Sequence, residues 1–287
     1  MEINANYKDS VFTSLFSNPA SLRELYCALR GVTLPPDTPV SINTLEKVLY
    51  MDLYNDISFE IGGKLVVLVE HQSTINPNMA LRFLLYISRV LEKKFKGRTL
   101  YSTKPVSVPY PEFFVLYNGA EKFPDEQILK LSDLFSNPKE LGLTEPDYPL
   151  LELEVRVINI NEGRNEEIVK RCGMLHEYSV LIAKIRSLIN DSVSLEEAVK
   201  KAIVFCQKND ILAGYLEIHG SEVFNMLLTE WNWDDCIAVR SEEAREDGRK
   251  EASLSIARNL LSEGSTPEFV HRTTGLSMDE ISKLRQG

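Results

Sequence analysis

No two of the four cysteines in this chain lie close together. Cys27, Cys172, Cys206 and Cys236 are scattered over 287 residues, which argues against a disulfide framework or a cysteine zinc site and leaves them as small buried hydrophobes. Histidine is equally sparse: His71, His176, His219 and His271 stand apart, and none falls in a two-histidine helical pattern. Long hydrophobic runs are missing as well. "KLVVLVE" and "RFLLYISRVLE" break off well short of the roughly 18 apolar residues of a membrane span. The opening "MEINANYKDS" lacks the basic-then-apolar order of a secretory signal, so a cytoplasmic location without a membrane partner is expected. Positive charge is not in excess either. A net charge of −10 argues against a surface coated for non-specific nucleic-acid binding, while leaving room for a local basic groove.

What is present is an ordinary globular composition, 44% hydrophobic and 26% charged, in a chain long enough for one large domain or two. The first half reads as α/β. Tyr7, Val11 and Leu15, with Phe12 and Phe16, recur at helical spacing, and Asn18 caps a second helix with Pro19 at its first position and Gly31 at its end. "GVTLPPDTPV" reads as loop, and strand signals follow at "EKVLYM", at 56–61 and at 65–71. "MALRFLLYISRVLEKKFKG" is a helix closing on lysines and Gly97, and further strands are expected at "EFFVLYNG" and "LLELEVRVINI". From Glu166 onward the periodicity is helical throughout: "NEEIVKRCGMLHEYSVLIAKIRSLI", "SLEEAVKKAIVFCQKN", "GSEVFNMLLTEW" and "EEAREDGRKEASLSIARNLLSEG" each read as one helix. Two short helices close the chain, with Pro267 opening the first, Gly275 ending it, and Ser277 with Glu280 forming a capping box for the second. The boundaries expected are a core over 1–163, a helical extension over 164–235, and a charged helical arm with the two short helices over 236–287.

The segment "NDISFEIGGKLVVLVEHQST" carries the chemical question, because an apolar strand ends there on Glu70-His71-Gln72. A carboxylate at the end of a buried strand needs a cation or several donors; a strand end emerging into solvent is the other reading. Alternation puts Glu70 and Gln72 on one face with Val66 and Leu68. A two-residue loop at Gly62-Gly63 pairs Asp56 with Val69, and a three-residue loop over 62–64 sets Asp56 across from Glu70. Both loops suit the glycines. Two apposed carboxylates repel unless a cation separates them, and hard oxygen donors of this kind suit Mg²⁺, which binds through one or two carboxylates, water and substrate phosphate.

Asp56, thirteen residues, then Glu70-His71-Gln72 resembles the PD-(D/E)XK nuclease superfamily. The phrases "YKDSVFTSLFSNPASLRELYCAL", "NDISF", "VEHQSTINPNMALRFLLYI", "FFVLYNGAEKFPDEQILKLSDLF" and "LELEVRVININ" together resemble, over about 6–231, the Rpn family of recombination-promoting nucleases and transposase-like proteins. The resemblance implies a restriction-endonuclease-like core, a mixed sheet flanked by helices, and a metal-dependent DNA endonuclease. Asp56 and Glu70 would be ligands for Mg²⁺, or Mn²⁺ or Ca²⁺, with Gln72 at the third motif position. Lysine is usual there, and an amide cannot stabilise developing negative charge as lysine does. A catalytically silent relative that binds DNA or a protein partner is therefore the second reading. Asp9 matches a further acidic position of the core, beside its plain reading as a surface acid.

DNA requires cations. Arg89, Lys93, Lys94, Lys96, Arg98 and Lys104, opposed only by Glu92, make the most basic span and are the expected phosphate contacts; a solvated helix end is the plainer reading. The last two helices have a helix-turn-helix outline, but the second begins Ser277-Met278-Asp279-Glu280, which repels phosphate. A protein-protein contact or self-association as a homo-oligomer is expected of them in preference to DNA reading.

Overall fold

The computed structural model describes residues 10–43, 56–95, 101, 103–136, 141–144, 148–277, 280–281 and 284, with the backbone alone over 232–251. The strand expected at "EKVLYM" lies outside these residues. The chain forms two compact units, 1–230 and 231–287. The first is α/β, built on a six-stranded mixed sheet.

Local chemistry accounts for its opening helices. Ser10 and Thr13 form a reciprocal cap on α1 (Val11–Leu15). The Asn18 side chain accepts from the Ala20 and Ser21 amides at the start of α2 (Pro19–Arg30), and Gly31 ends that helix at φ 65°. The strands are β1 (Val40–Ile42), β2 (Ile57–Ile61), β3 (Leu65–Gln72), β4 (Tyr110–Tyr117), β5 (Glu126–Lys130) and β6 (Glu154–Asn159). Their order is β1-β2-β3-β4-β6-β5; β3-β4 and β4-β6 are parallel and the other pairs antiparallel. The helix α3 (Met79–Lys94) carries the chain from β3 back to its parallel neighbour β4.

The hairpin between β2 and β3 takes the three-residue turn, with Gly62 and Gly63 at φ 58° and 66°. Ile57 then opposes Val69 and Ile61 opposes Leu65. One step further out, the same register sets Asp56 across from Glu70.

The sheet buries both faces. Val66 and Leu68 of β3 join Phe113 and Val115 of β4 and Val155 and Val157 of β6 beneath Met79, Phe83, Tyr86 and Val90 of α3. On the opposite face, the His71 ring stacks on Phe12 at 5.0 Å, and its Nε2 lies 3.2 Å from the hydroxyl of Tyr178.

Two strands depart from the sequence reading. β1 arises from the end of the stretch read as loop, and β5 from "EQILK", which was not expected to pair. Both are edge strands whose residues are largely exposed, so neither shows the apolar alternation that announces a strand. The helical run after Glu166 also differs. It breaks into α4 (Glu166–Val169) and α5 (Gly173–Asn190), where Glu24 accepts from the Gly173 amide and supplies from α2 the cap that the local sequence lacks. After α6 (Leu195–Lys208), the two helices expected over 220–264 are one, α7 (Ala213–Ser262), which contains no proline.

The second unit has its own small core of Ala257, Val270, Leu276 and Ile281. Thr266 caps α8 (Pro267–Thr274), Gly275 closes it at φ 74°, and Ser277 and Glu280 cap one another as expected.

Candidate active site

The end of β3 gathers the polar groups of the sheet's α3 face. Glu70 is 3% exposed, and its partner is Arg82, one turn into α3. Arg82 Nη2 donates to both Glu70 oxygens, at 3.2 and 3.0 Å, while Nε and Nη2 donate to the Tyr86 hydroxyl at 3.1 and 2.8 Å. Gln72 Nε2 donates to Glu70 Oε2 at 3.2 Å and lies 2.8 Å from the sulfur of Met79. Across the hairpin, Asp56 Oδ2 accepts from the His71 amide at 2.7 Å. The strand therefore ends on a carboxylate because a guanidinium from the next helix meets it. A cavity of about 80 Å³ opens beside Gln72, walled by Met79, Val115 and Tyr117. A larger one, about 430 Å³, lies between the end of α2 and the start of α4; neither cavity is lined by Asp56 or Glu70.

The structure thus brings Asp56, Glu70 and Gln72 together. It adds two residues that the sequence reading missed, Arg82 and Tyr86. Their signal was an arginine and a tyrosine four apart on the helix face that carries Met79, Phe83 and Val90, where a cation has no apolar reason to be. The basic span divides. Lys94 is paired with the buried Glu60 of β2 at 2.7 Å, so its charge is engaged within the fold. Lys93 and Lys104 are exposed and Arg89 is half-buried, while Lys96, Arg98 and Asp9 lie outside the described residues. Of the four cysteines, Cys172 and Cys206 are buried as small apolar groups, and burial pushes the Cys172 thiol up to about 12.

Two comparisons bear on what this site belongs to. The family profile described as "Putative transposase, YhgA-like" matches residues 16–208, and "Rpn/YhgA-like nuclease family, C-terminal HTH domain" matches 250–286. The chain belongs to the Rpn/YhgA-like nuclease family. A relative described as recombination-promoting nuclease RpnA, from Escherichia coli (strain K12), is 24% identical over 94% of this chain and 90% of its own length. No solved structure matches this Rpn/YhgA-like chain significantly. The first profile covers every element of the sheet and all the described site residues, and the second confirms the helix-turn-helix outline of the end of the chain. No helix among the described residues is long and apolar enough to cross a membrane.

Burial dominates the electrostatics of the site. Burial and the charge of Asp56 push Glu70 up to about 8; burial pushes Asp56 up to about 6 against the opposing His71 amide and Arg82. Glu70 is paired with Arg82, whereas half-buried Asp56 feels that guanidinium only through its charge. The oxygens of the two acids are the hard donors that Mg²⁺ takes in ones and twos, leaving water and phosphate to complete its shell, so the donor set fits such an ion. Among the described residues no third carboxylate, histidine or cysteine joins them. His71 is no ligand in this setting. Its ring is on the other face, and burial followed by the charge of Arg186 lowers it to about 3.

These shifts have a sign that can be measured. A carboxyl group whose folded pKa is raised binds its proton more tightly in the folded state, so its contribution to stability is full below the unfolded pKa and is lost as pH rises towards the folded value. His71 has the opposite sign, but its contribution changes only below its ordinary 6.5. Between pH 6.5 and 8 the change follows Glu70, because the Asp56 contribution is lost by about pH 6. In EDTA the melting temperature is expected to fall across that window, and Glu70→Gln to flatten the fall. A flat wild-type profile would show that Glu70 is ionised throughout.

Proposed function

We propose that this protein is a metal-dependent DNA endonuclease of the PD-(D/E)XK type, hydrolysing phosphodiester bonds in the recombination setting that the RpnA description names or the mobile-element setting of the transposase profile. The observation that carries this reading is the carboxylate pair, half-buried Asp56 and buried Glu70, set opposite each other by the hairpin register, with Arg82 paired to Glu70. Asp56 and Glu70 would hold Mg²⁺, or Mn²⁺ or Ca²⁺ in its place. Bound there, the ion would lower the pKa of a coordinated water and offset charge on the phosphate. The protein's own groups do the rest. The His71 amide fixes the Asp56 carboxylate and Gln72 orients one Glu70 oxygen; with the ion bound, the Gln72 amide would orient its water. Burial beneath α3 keeps the local dielectric low, which strengthens each of these contacts.

The direct test is supercoiled plasmid with Mg²⁺ or with EDTA: the endonuclease reading expects nicking and linearisation with Mg²⁺ alone. A catalytically silent relative that only binds would retard the plasmid in a gel without breaking it. The closed Arg82-Glu70 pair is what favours that second reading.

For DNA contact, the proposed residues are Arg89, Lys93, Lys96, Arg98 and Lys104; Lys94 is set apart by Glu60. Neutralising Lys93, Lys96 and Lys104 together is expected to weaken binding equally for unrelated sequences and to reduce the salt slope by roughly one unit for each phosphate no longer neutralised. An unchanged slope removes this span from the interface. The C-terminal unit carries a motif class that docks on DNA, while its acidic Asp279-Glu280 argues for self-association. Sedimentation of the full chain against one ending at residue 230 distinguishes the two: self-association requires the shorter chain to lose its oligomeric state.

A further inference from the structure

The position where a nuclease of this type commonly carries lysine holds an uncharged amide, Gln72, yet the site is not without a cation. Arg82 stands in it. Several features of its contact distinguish it from a fixed structural pair. Only one nitrogen, Nη2, reaches Glu70, whereas a strong arginine-carboxylate pair uses two in parallel. Nε and Nη2 are also held by the Tyr86 hydroxyl, so the guanidinium keeps an anchor on its own helix when it leaves Glu70. Nη1 meets no oxygen among the described residues; its contact is the sulfur of Met79, at 3.6 Å. The Arg82 side chain is 26% exposed and that of Glu70 3%, so the arginine reaches solvent while the acid it covers does not.

We propose that Arg82 is the exchangeable cation of the site: it neutralises Glu70 in the metal-free protein, yields that carboxylate to a divalent ion, and turns about Tyr86 to donate to the phosphate of bound DNA. This rests on the nuclease reading and deepens it, by assigning to a helix arginine the charge that the strand residue Gln72 cannot supply. Two cations competing for one carboxylate oppose each other's binding. Removing one therefore favours the other, and only an arginine that goes on to meet the phosphate makes that gain in metal affinity coincide with a loss of cleavage.

The experiment is a calorimetric titration of Mg²⁺ alone into the wild type, Arg82→Gln and Arg82→Lys at pH 9, where proton competition is small, paired with plasmid cleavage by the same preparations. Arg82→Gln is expected to bind Mg²⁺ about tenfold more tightly, the scale of an ordinary coupling between two sites. It is also expected to cleave about 100-fold more slowly, the scale of losing one donor to the transition state. Arg82→Lys should recover part of the cleavage, and should carry the test if the glutamine variant does not fold. Metal affinity that is unchanged or weaker in the variants overturns the proposal, as does cleavage at the wild-type rate. A wild type that binds no Mg²⁺ and breaks no DNA overturns the nuclease reading itself. Wild-type cleavage with insensitive variants overturns only the role of Arg82.

Discussion

Asp56→Asn is expected to slow metal-dependent cleavage at least about 100-fold while raising the stability of the metal-free protein above pH 7. The rate falls because the ion loses a charged ligand and the developing phosphate charge loses its counterweight. Stability rises because the change removes one of two buried charges that repel, and leaves Glu70 and Arg82 as a neutral pair. An asparagine oxygen can still accept the His71 amide hydrogen bond. Glu70→Ala should be equally inactive but should destabilise, because it strips Arg82 of its carboxylate; breaking a buried pair costs about 3 to 5 kcal/mol, and partial exposure of Arg82 places this one at the lower end. The two acids therefore separate in calorimetry although they agree in the cleavage assay. Two alanine variants with the same loss of stability and undiminished cleavage would show an ordinary strand end.

The second large effect is expected at Gly119. This glycine follows β4 in the phrase "VLYNG", and a Cβ placed there would collide with the Ser73 carbonyl oxygen and the ring of Tyr117. Backbone cannot step aside as a flexible side chain can, because Asn118 donates to the Gln72 carbonyl at 2.9 Å and Arg186 clamps Asn118 from above through its side-chain and main-chain oxygens. Gly119→Ala is expected to cost about 3 kcal/mol, or roughly 10 °C in melting temperature for a unit of this size. Any folded fraction should cleave more slowly, since the displaced Ser73 adjoins Gln72. A melting temperature within about 2 °C of the wild type would show that the β4 end has room to move.

The features legible in the sequence were those with local causes. Asn18, Pro19 and Gly31 bracket α2 without help from the rest of the chain, and the apolar runs of β3 and β4 are strands wherever they pack. The hairpin turn was not legible, because Gly62 and Gly63 serve a two- or a three-residue loop equally well; the choice is made by the pairing of Ile57 with Val69 and by the need to turn Val66 and Leu68 towards α3. Arg82 escaped notice because its partner is twelve residues away on another element, and a cation on an apolar stripe has meaning only once the strand end is known to lie beneath it. Lys94 was visible as charge but not as a charge in use, since Glu60 comes from a strand that sequence alone does not place beside α3.

The claim that a divalent ion lies between Asp56 and Glu70 can be tested by letting an ion mark its own position. Fe²⁺ bound in place of Mg²⁺, with ascorbate and peroxide, cuts the polypeptide beside the metal, and the cut sites are read by mass spectrometry of the intact chain. Cuts are expected near Asp56 and at Glu70 to Gln72, suppressed by excess Mg²⁺ and missing in Asp56→Asn. Cuts confined to other segments, or the same cuts in Asp56→Asn, would contradict the site.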